Sequence, residues 1–314
     1  MNSVIITGPT GEVGLSLVDE LLKNNIEIYA IVRPNSKRVS RLPRNPKLHI
    51  IENNLDDLGR LNNIIHVKCD VFYHLGWDFS RAHNDIEKQY KNIAYSLDAL
   101  KVAKELGCTT FVGAGSQAEY GVVNGIISPD TPVHPQTAYG MAKLAAGQMT
   151  RLLAHQLGIK HIWPRIISIY GPGDAESTMI ISTIRKLLNG EKPSLTLGEQ
   201  QWDFLYSKDC ARAMRLIAEN GKDGAVYCIG QGKMQPLKSY MEALRDQINP
   251  NLELGLGEIP YKDNQVMKLD IDTSSLFEDT GFTPAYTFEE GIRETIDWCI
   301  NNPPVLKPEE RSIQ

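Results

Sequence analysis

Residues 3–22 read SVIITGPTGEVGLSLVDELL, and this stretch decides the fold. Ser3 to Thr7 is a short, β-branched apolar run. Gly8, Gly11 and Gly14 follow as a cluster, and Val13, Leu17, Val18, Leu21 and Leu22 then recur at helical spacing. The order is strand, glycine loop, helix. Backbone N–H groups at a helix N-terminus accept a diphosphate, and glycines without side chains let it come close. Taken alone, three spaced glycines are equally a plain turn. Their position between a strand and a helix makes Gly8, Thr10, Gly11, Glu12 and Val13 candidate ligands of a dinucleotide.

Working outward, apolar runs at Ile28–Val32, Leu48–Ile51, Asp70–Leu75, Thr110–Ala114 and Ile159–Ile169 predict further strands. Helices are expected near 86–106 and after Tyr139. Strands alternating with helices imply an α/β fold, a doubly wound parallel sheet of Rossmann type that binds ligands at the carboxyl ends of its strands. The rest of the chain excludes other classes. Its 314 residues are 42% hydrophobic and 23% charged, which is globular rather than disordered or fibrous. No apolar stretch approaches the length of a membrane span, and MNSVIITGP carries no leader signature, so a cytoplasmic protein with no membrane partner is expected. With 38 acidic against 33 basic side chains and no long basic block, nucleic acid is not an expected partner. The five cysteines lack C-x-x-C spacing and read as reduced and structural, and no metal site is expected.

The cofactor is read from the segment after the second strand. An NAD site usually presents an acid to the ribose hydroxyls there, whereas arginine accommodates the extra phosphate of NADP. Here the residues are Arg33-Pro34-Asn35-Ser36-Lys37-Arg38. Arg33, Ser36 and Arg38 are candidates for the 2′-phosphate, which favours NADP (NADPH), with NAD as the alternative. A solvated basic loop is the other reading of these residues. Tyr139 and Lys143 stand four apart on one helix face, and Ser116 follows the fifth strand. A phenol ordinarily ionises near pH 10, so proton transfer at neutral pH needs help. An adjacent Lys143 ammonium would lower it, while Ser116 holds a substrate oxygen.

Several ordered motifs now make the chain similar to the extended short-chain dehydrogenase/reductases of the nucleotide-sugar epimerase/dehydratase type, over nearly its whole length. They are TGPTGEVG, YHLG (73–76), Asn92 in YKNIAYSLDAL, GSQAEYG, PQTAYGMAK, PRIISIYGPGD, WDFLYSKDCARAM and GFTPAYTFEEGIRETIDW. The resemblance implies hydride transfer at a sugar carbon, usually C4. Tyr139 would be the acid/base, Lys143 its partner and ribose anchor, and Ser116 the substrate-oxygen donor. It also places Asn54 and Leu55 near the adenine, Leu75 and Gly76 near the pyrophosphate and nicotinamide, and Pro164 and Ile166 beside the carboxamide. Asn92 would be a support behind them, although Leu75 and Asn92 are equally readable as packing residues.

Departures narrow the reaction that the resemblance implies. The dehydratases' Thr-Asp-Glu run is Ser116-Gln117-Ala118 here, which removes the acids of a 4,6-dehydration. GDP-fucose synthases carry Cys and His where Ala118 and Gly173 stand. What remains is NADPH-dependent reduction of a 4-keto group on a nucleotide-activated deoxyhexose, closest to the 4-keto-6-deoxy-hexose reductases. An NAD-dependent 4-epimerase is second, and a non-catalytic dinucleotide sensor third. From about Gly171 the alternation breaks. Segments 171–200 and 231–302 resemble a smaller interwoven substrate lobe, with 1–170 and about 201–230 forming the dinucleotide-binding part and 303–314 a tail. Trp77, Gln117, Ser168, Arg185, Trp202 and Lys262 are candidate substrate contacts. Arg185 and Lys262 are equally readable as surface charges and Trp202 as a structural aromatic. A homodimer pairing the helices near 86–106 and 138–157 is the state that the resemblance implies.

Overall fold

Strands form where the β-branched runs lie, and most of their side chains are buried, those of the edge strand Leu48–Glu52 excepted. The computed structural model describes residues 1–78, 84–263 and 265–304. β1 (Ser3–Thr7), β2 (Glu27–Val32), β3 (Leu48–Glu52), β4 (Val71–His74), β5 (Thr110–Gly113), β6 (Lys160–Ile166) and β7 (Val226–Ile229) share one sheet in the order β7-β6-β5-β4-β1-β2-β3. Every neighbouring pair is parallel. The winding reverses between β1 and β4, which opens a crevice at their carboxyl ends. The expected Rossmann-type sheet is therefore present.

Helices cover both faces. On one face α1 (Glu12–Lys23) packs with α5 (Ser207–Asn220), burying Leu17, Val18, Leu21, Met214 and Ile217 against Val4, Ile6, Ile28 and Ile229. On the other, α2 (Ile86–Glu105) packs with α3 (Ala138–Leu157) over Ile5, Phe72 and Phe111. Caps set where these helices begin. The Asp85 carboxylate accepts from Lys88 N, and the Thr137 hydroxyl from Gly140 N. α3 stops at Gly158, which adopts the left-handed conformation.

Between and beyond these lie α4 (Met179–Leu188), α6 (Leu237–Ile248), α7 (Ser274–Thr280) and α8 (Phe288–Asn301). α4, α6 and α8 bury their apolar faces on one another through Ile180, Ile184, Leu187, Leu244, Ile292 and Ile296. α8 starts with a capping box between Thr287 and Glu290. Of these, the helical spacing of Ile292, Ile296 and Cys299 announces only the last in the sequence. The others are short and packed mainly away from the main sheet, so the strand–helix alternation that exposes a Rossmann unit does not mark them. The sixth strand also ends earlier than expected. Ser168 takes φ +45°, breaking the run, and Ile169–Tyr170 pairs instead with Leu205–Tyr206. All five cysteines are buried and free. No helix among the described residues is long and apolar enough to cross a membrane. Of the expected tail, residues 305–314 lie outside the described residues.

Candidate active site

The glycine loop is folded tightly onto the end of β4. A Cβ on Gly14 would stand 2.2 Å from the Gly8 carbonyl oxygen, and Gly8 itself has φ +72° with Gly76 N only 2.8 Å from where its Cβ would be. Only glycine fits either position. The Thr7 hydroxyl fastens the two strand ends. It accepts from Gly76 N at 3.0 Å and lies 3.0 Å from His74 Nδ1. Burial pushes His74 down to about 3, so its ring is neutral at physiological pH.

This crevice is a cavity of about 530 Å³. Of the expected cofactor residues, Gly8, Thr10, Gly11, Arg33, Ser36, Arg38, Asn54, Leu55, Leu75 and Gly76 line it. Arg33, Ser36 and Arg38 thus border the same cavity as the glycine loop. Asn53, Asp56, Asp78 and Tyr95 line it as well, and sequence reading missed them. Asn53 and Asp56 follow β3 at the same level as the residues after β1 and β4, the one signal that could have found them. Asn53 also holds its loop, donating to the carbonyls of Asn54 and Asp57 at 2.8 Å each. The shape, the glycine approaches and the cationic wall fit a nicotinamide dinucleotide. Glu12 and Val13 begin α1 beneath the loop rather than lining the cavity.

Ser116, Tyr139 and Lys143 lie close together beside Trp77, which lines this crevice, although none of the three lines it directly. Ser116 follows β5 and is placed by a capping box: its hydroxyl accepts from Ala118 N at 3.2 Å, and Glu119 accepts from Ser116 N at 2.8 Å. Glu119 is fully buried and also accepts from Trp163 Nε1 at 3.0 Å and Arg165 Nε at 2.8 Å. This ion pair behind the serine was not singled out in the sequence, because neither residue belongs to a reacting pattern. Ile166, opposite Ser116 in the register, and Pro164, whose carbonyl faces Gly115, wall the same corner.

The Tyr139 phenol hydrogen-bonds with Ser116, and burial nevertheless holds its pKa above the ordinary value. Lys143 departs from expectation. Its Nζ donates to the Ala114 carbonyl at 2.7 Å and sits 3.7 Å from the centre of the Trp77 ring, while the Tyr139 ring centre is 5.9 Å away. Desolvation brings the ammonium down to about 7. In this state Lys143 does not lower the phenol, because its charge is directed at an indole face and a carbonyl. Trp77 packs edge-on against Tyr139 and donates to Gln89 Oε1 at 2.9 Å. It lines the cofactor cavity and not the larger one. Asn92 does support this loop, accepting from Asp78 N at 2.7 Å and donating to Asp78 O at 3.2 Å.

A second cavity, about 820 Å³, opens between α4, α6 and the segment around Trp202. Ser168, Trp202 and Lys262, three of the candidate substrate contacts, line it. Trp202 Nε1 donates to the Ser168 hydroxyl at 2.6 Å, so one contact spans the break in the sixth strand. The adjoining Asp203 is buried and accepts from the backbone N–H groups of Gln231, Gly232 and Lys233. Arg185 is turned away. It pairs with Glu176 at 2.9 Å and donates to the carbonyls of Cys299 and Asn302, tying α4 to the end of α8. Its neighbour Lys186 faces the cavity in its place, one helix position further round. Gln117 lies in the turn after Ser116 and lines neither cavity.

Comparison with known proteins agrees with this geometry. Residues 4–230 match the model of the NAD dependent epimerase/dehydratase family. A putative UDP-glucose 4-epimerase of Methanocaldococcus jannaschii is 25% identical, covering 95% of this chain and 99% of its own length. A dTDP-4-dehydro-6-deoxyglucose reductase of Escherichia coli is also 25% identical, covering 94% and 96%. Among solved structures, UDP-N-acetylglucosamine 4-epimerase from Methanobrevibacter ruminantium M1, in complex with UDP-N-acetylmuramic acid, superposes with a TM-score of 0.85 at 25% identity over 96% of this chain and 98% of its own.

Proposed function

Because the chain belongs to the NAD dependent epimerase/dehydratase family and is thereby an enzyme of nicotinamide-dependent nucleotide-sugar chemistry, we propose that it reduces the C4 keto group of a nucleotide-activated (6-deoxy)hexose with NADPH. The observation that carries this reading is the wall of Arg33, Ser36 and Arg38 on the dinucleotide cavity. Two guanidiniums and a hydroxyl suit a 2′-phosphate, and the position that would offer an acid to an unphosphorylated ribose holds none. When bound, the reduced nicotinamide supplies the hydride for the carbonyl carbon.

The chain's own groups do the rest. The Ser116 hydroxyl and the Tyr139 phenol, already hydrogen-bonded, are placed to donate to one carbonyl oxygen. As negative charge grows on that oxygen, Tyr139 gives up its proton. Burial keeps the phenol protonated at neutral pH, which is the state a reduction needs at its start. Lys143, its ammonium brought down to about 7 by burial, leaves the Trp77 face and the Ala114 carbonyl to bind the ribose and then steadies the phenolate. The larger cavity would take the sugar nucleotide, with Lys186 and Lys262 toward its diphosphate and Trp202 and Ser168 nearer the sugar. In this reading 171–200 and 231–302 form the substrate lobe. Exposed apolar side chains on α2 and α3, among them Ile86, Tyr90, Met149 and Leu152, would pair two copies into a homodimer.

An NAD-dependent 4-epimerase is the second reading, favoured by the full-length similarity to proteins named as 4-epimerases. It uses the same Ser116, Tyr139 and Lys143 but keeps its cofactor. Mass spectrometry of the nucleotide released from purified protein, followed by titration of the emptied protein with NADPH and NADH, separates the two. Largely empty protein that binds NADPH more tightly supports the reductase. Stoichiometric NAD with no preference for NADPH overturns it in favour of the epimerase.

A further inference from the structure

Glu12 opens α1 directly after the glycine loop of the cofactor cavity, and Asp174 lies on the wall of the larger cavity, in the loop that leads into α4. Gly173 brings the two segments together, since its Cβ position lies 3.6 Å from the Glu12 Cα. The two carboxyl groups are within hydrogen-bonding reach of each other. A hydrogen bond between them needs a proton, since two carboxylates only repel. Asp174 already accepts from Ala175 N at 2.6 Å and from the Thr178 hydroxyl at 2.8 Å, donors that favour its ionised form. Glu12 has no such donors, and its Oε1 is closed off from solvent without a partner. The proton therefore sits on Glu12, which donates, and Asp174 accepts.

Among the described residues, no cation acts on the ionisation of either carboxyl. The charge of Glu12 acts on the Cys210 thiol of α5, while Glu176 acts on Asp174, which in turn acts on the Cys299 thiol of α8. Glu176 takes up the Arg185 guanidinium, and Arg41 acts on Glu176 rather than on the pair. The N-terminus of α1 favours one anion. An ionised Glu12 would compete there with a bound diphosphate.

Resting on the assignment of the two cavities to dinucleotide and substrate, we propose that Glu12 and Asp174 are a proton-held positioning pair that couples them. With the proton in place, Glu12 leaves the α1 N-terminus to the anionic cofactor and holds Asp174 against the glycine loop. Asp174 in turn fixes the start of α4, whose Thr178, Met179 and Lys186 line the substrate cavity. Loss of the proton sets two negative charges side by side, weakens cofactor binding and loosens that wall.

The test compares wild type, Glu12→Gln and Asp174→Asn by calorimetric titration with NADPH and with NAD between pH 6 and 9, in two buffers of different ionisation enthalpy. Above the pair's ionisation, wild-type affinity falls by up to about tenfold per pH unit, with proton uptake on binding. Both variants lose that dependence. Lys143 titrates in all three proteins and cancels in the comparison. Identical pH profiles and proton counts in wild type and Glu12→Gln would overturn the proposal. Ligand-free melting curves read the pair without any cofactor. Burial and Asp174 hold the Glu12 carboxyl well above the ordinary range, so stability present at acid pH is lost as pH rises through that raised value. The melting temperature of Glu12→Gln relative to wild type therefore rises with pH, and a constant difference counts against the pair. If neither dinucleotide binds wild type, the cavity assignment fails, while the melting curves still decide whether the proton is held. If Glu12→Gln does not fold, Asp174→Asn carries both readouts.

Discussion

Tyr139 is half of a pair that chemistry alone could name, yet its surroundings reverse one expectation. The phenol meets Ser116, while the Lys143 ammonium is turned toward the Trp77 ring and the Ala114 carbonyl. Sequence spacing puts Tyr139 and Lys143 on one helix face, but it cannot say which way a four-carbon stem points inside a crevice. Tyr139→Phe removes the proton donor and little else, since the ring still packs against Trp77. Turnover should fall by about 10²- to 10⁴-fold with dinucleotide affinity kept within about threefold. Steady-state rates beside a fluorescence titration check both, and unchanged turnover would remove Tyr139 from the acid/base role. Glu119 shows the reverse case. It determines where Ser116 sits through a buried contact with Arg165, and no local pattern announces it.

The decisive element is the segment from β2 into the short 3₁₀ turn at Lys37–Arg41. β2 lies beside β1, so whatever follows it stands at the ribose end of the same crevice. That much follows from the alternation of strands and helices, which is why Arg33, Ser36 and Arg38 could be expected to line this cavity before any coordinates. Charge-assisted hydrogen bonds of this kind are worth about 1.5–3 kcal/mol each. Arg33→Ala with Arg38→Ala should thus weaken NADPH by about 10²-fold or more and leave NADH nearly unchanged. Equal losses for both nucleotides would point to a general fold defect instead. α4 was not legible in this way. It carries Lys186 into the larger cavity and Arg185 away from it, a choice made by one helix position of about 100°.

For the molecule as a whole, the open question is what covers α2 and α3. Both pack their inner faces on the sheet and leave Ile86, Tyr90, Met149 and Leu152 in water. Hydrophobic side chains at such spacing lose free energy when buried, about 25 cal/mol for each Å² removed from water. Sedimentation velocity should therefore report a dimer, and Tyr90→Glu with Leu152→Glu should return the monomer; a wild-type monomer at micromolar concentration would remove the pairing. The sequence by itself determined the sheet and the glycine loop, because strand and helix periods and the steric freedom of glycine are local properties written at fixed spacings. It likewise pointed to Ser116, Tyr139 and Lys143 as neighbours, since parallel topology brings strand ends and helix starts to one edge. Only the tertiary structure decided the aim of Lys143, the turning of Arg185, the Glu119–Arg165 pair and the shared proton of Glu12 and Asp174. Each of these depends on groups far apart in the chain, and on the loss of water between them, which no period along the sequence records.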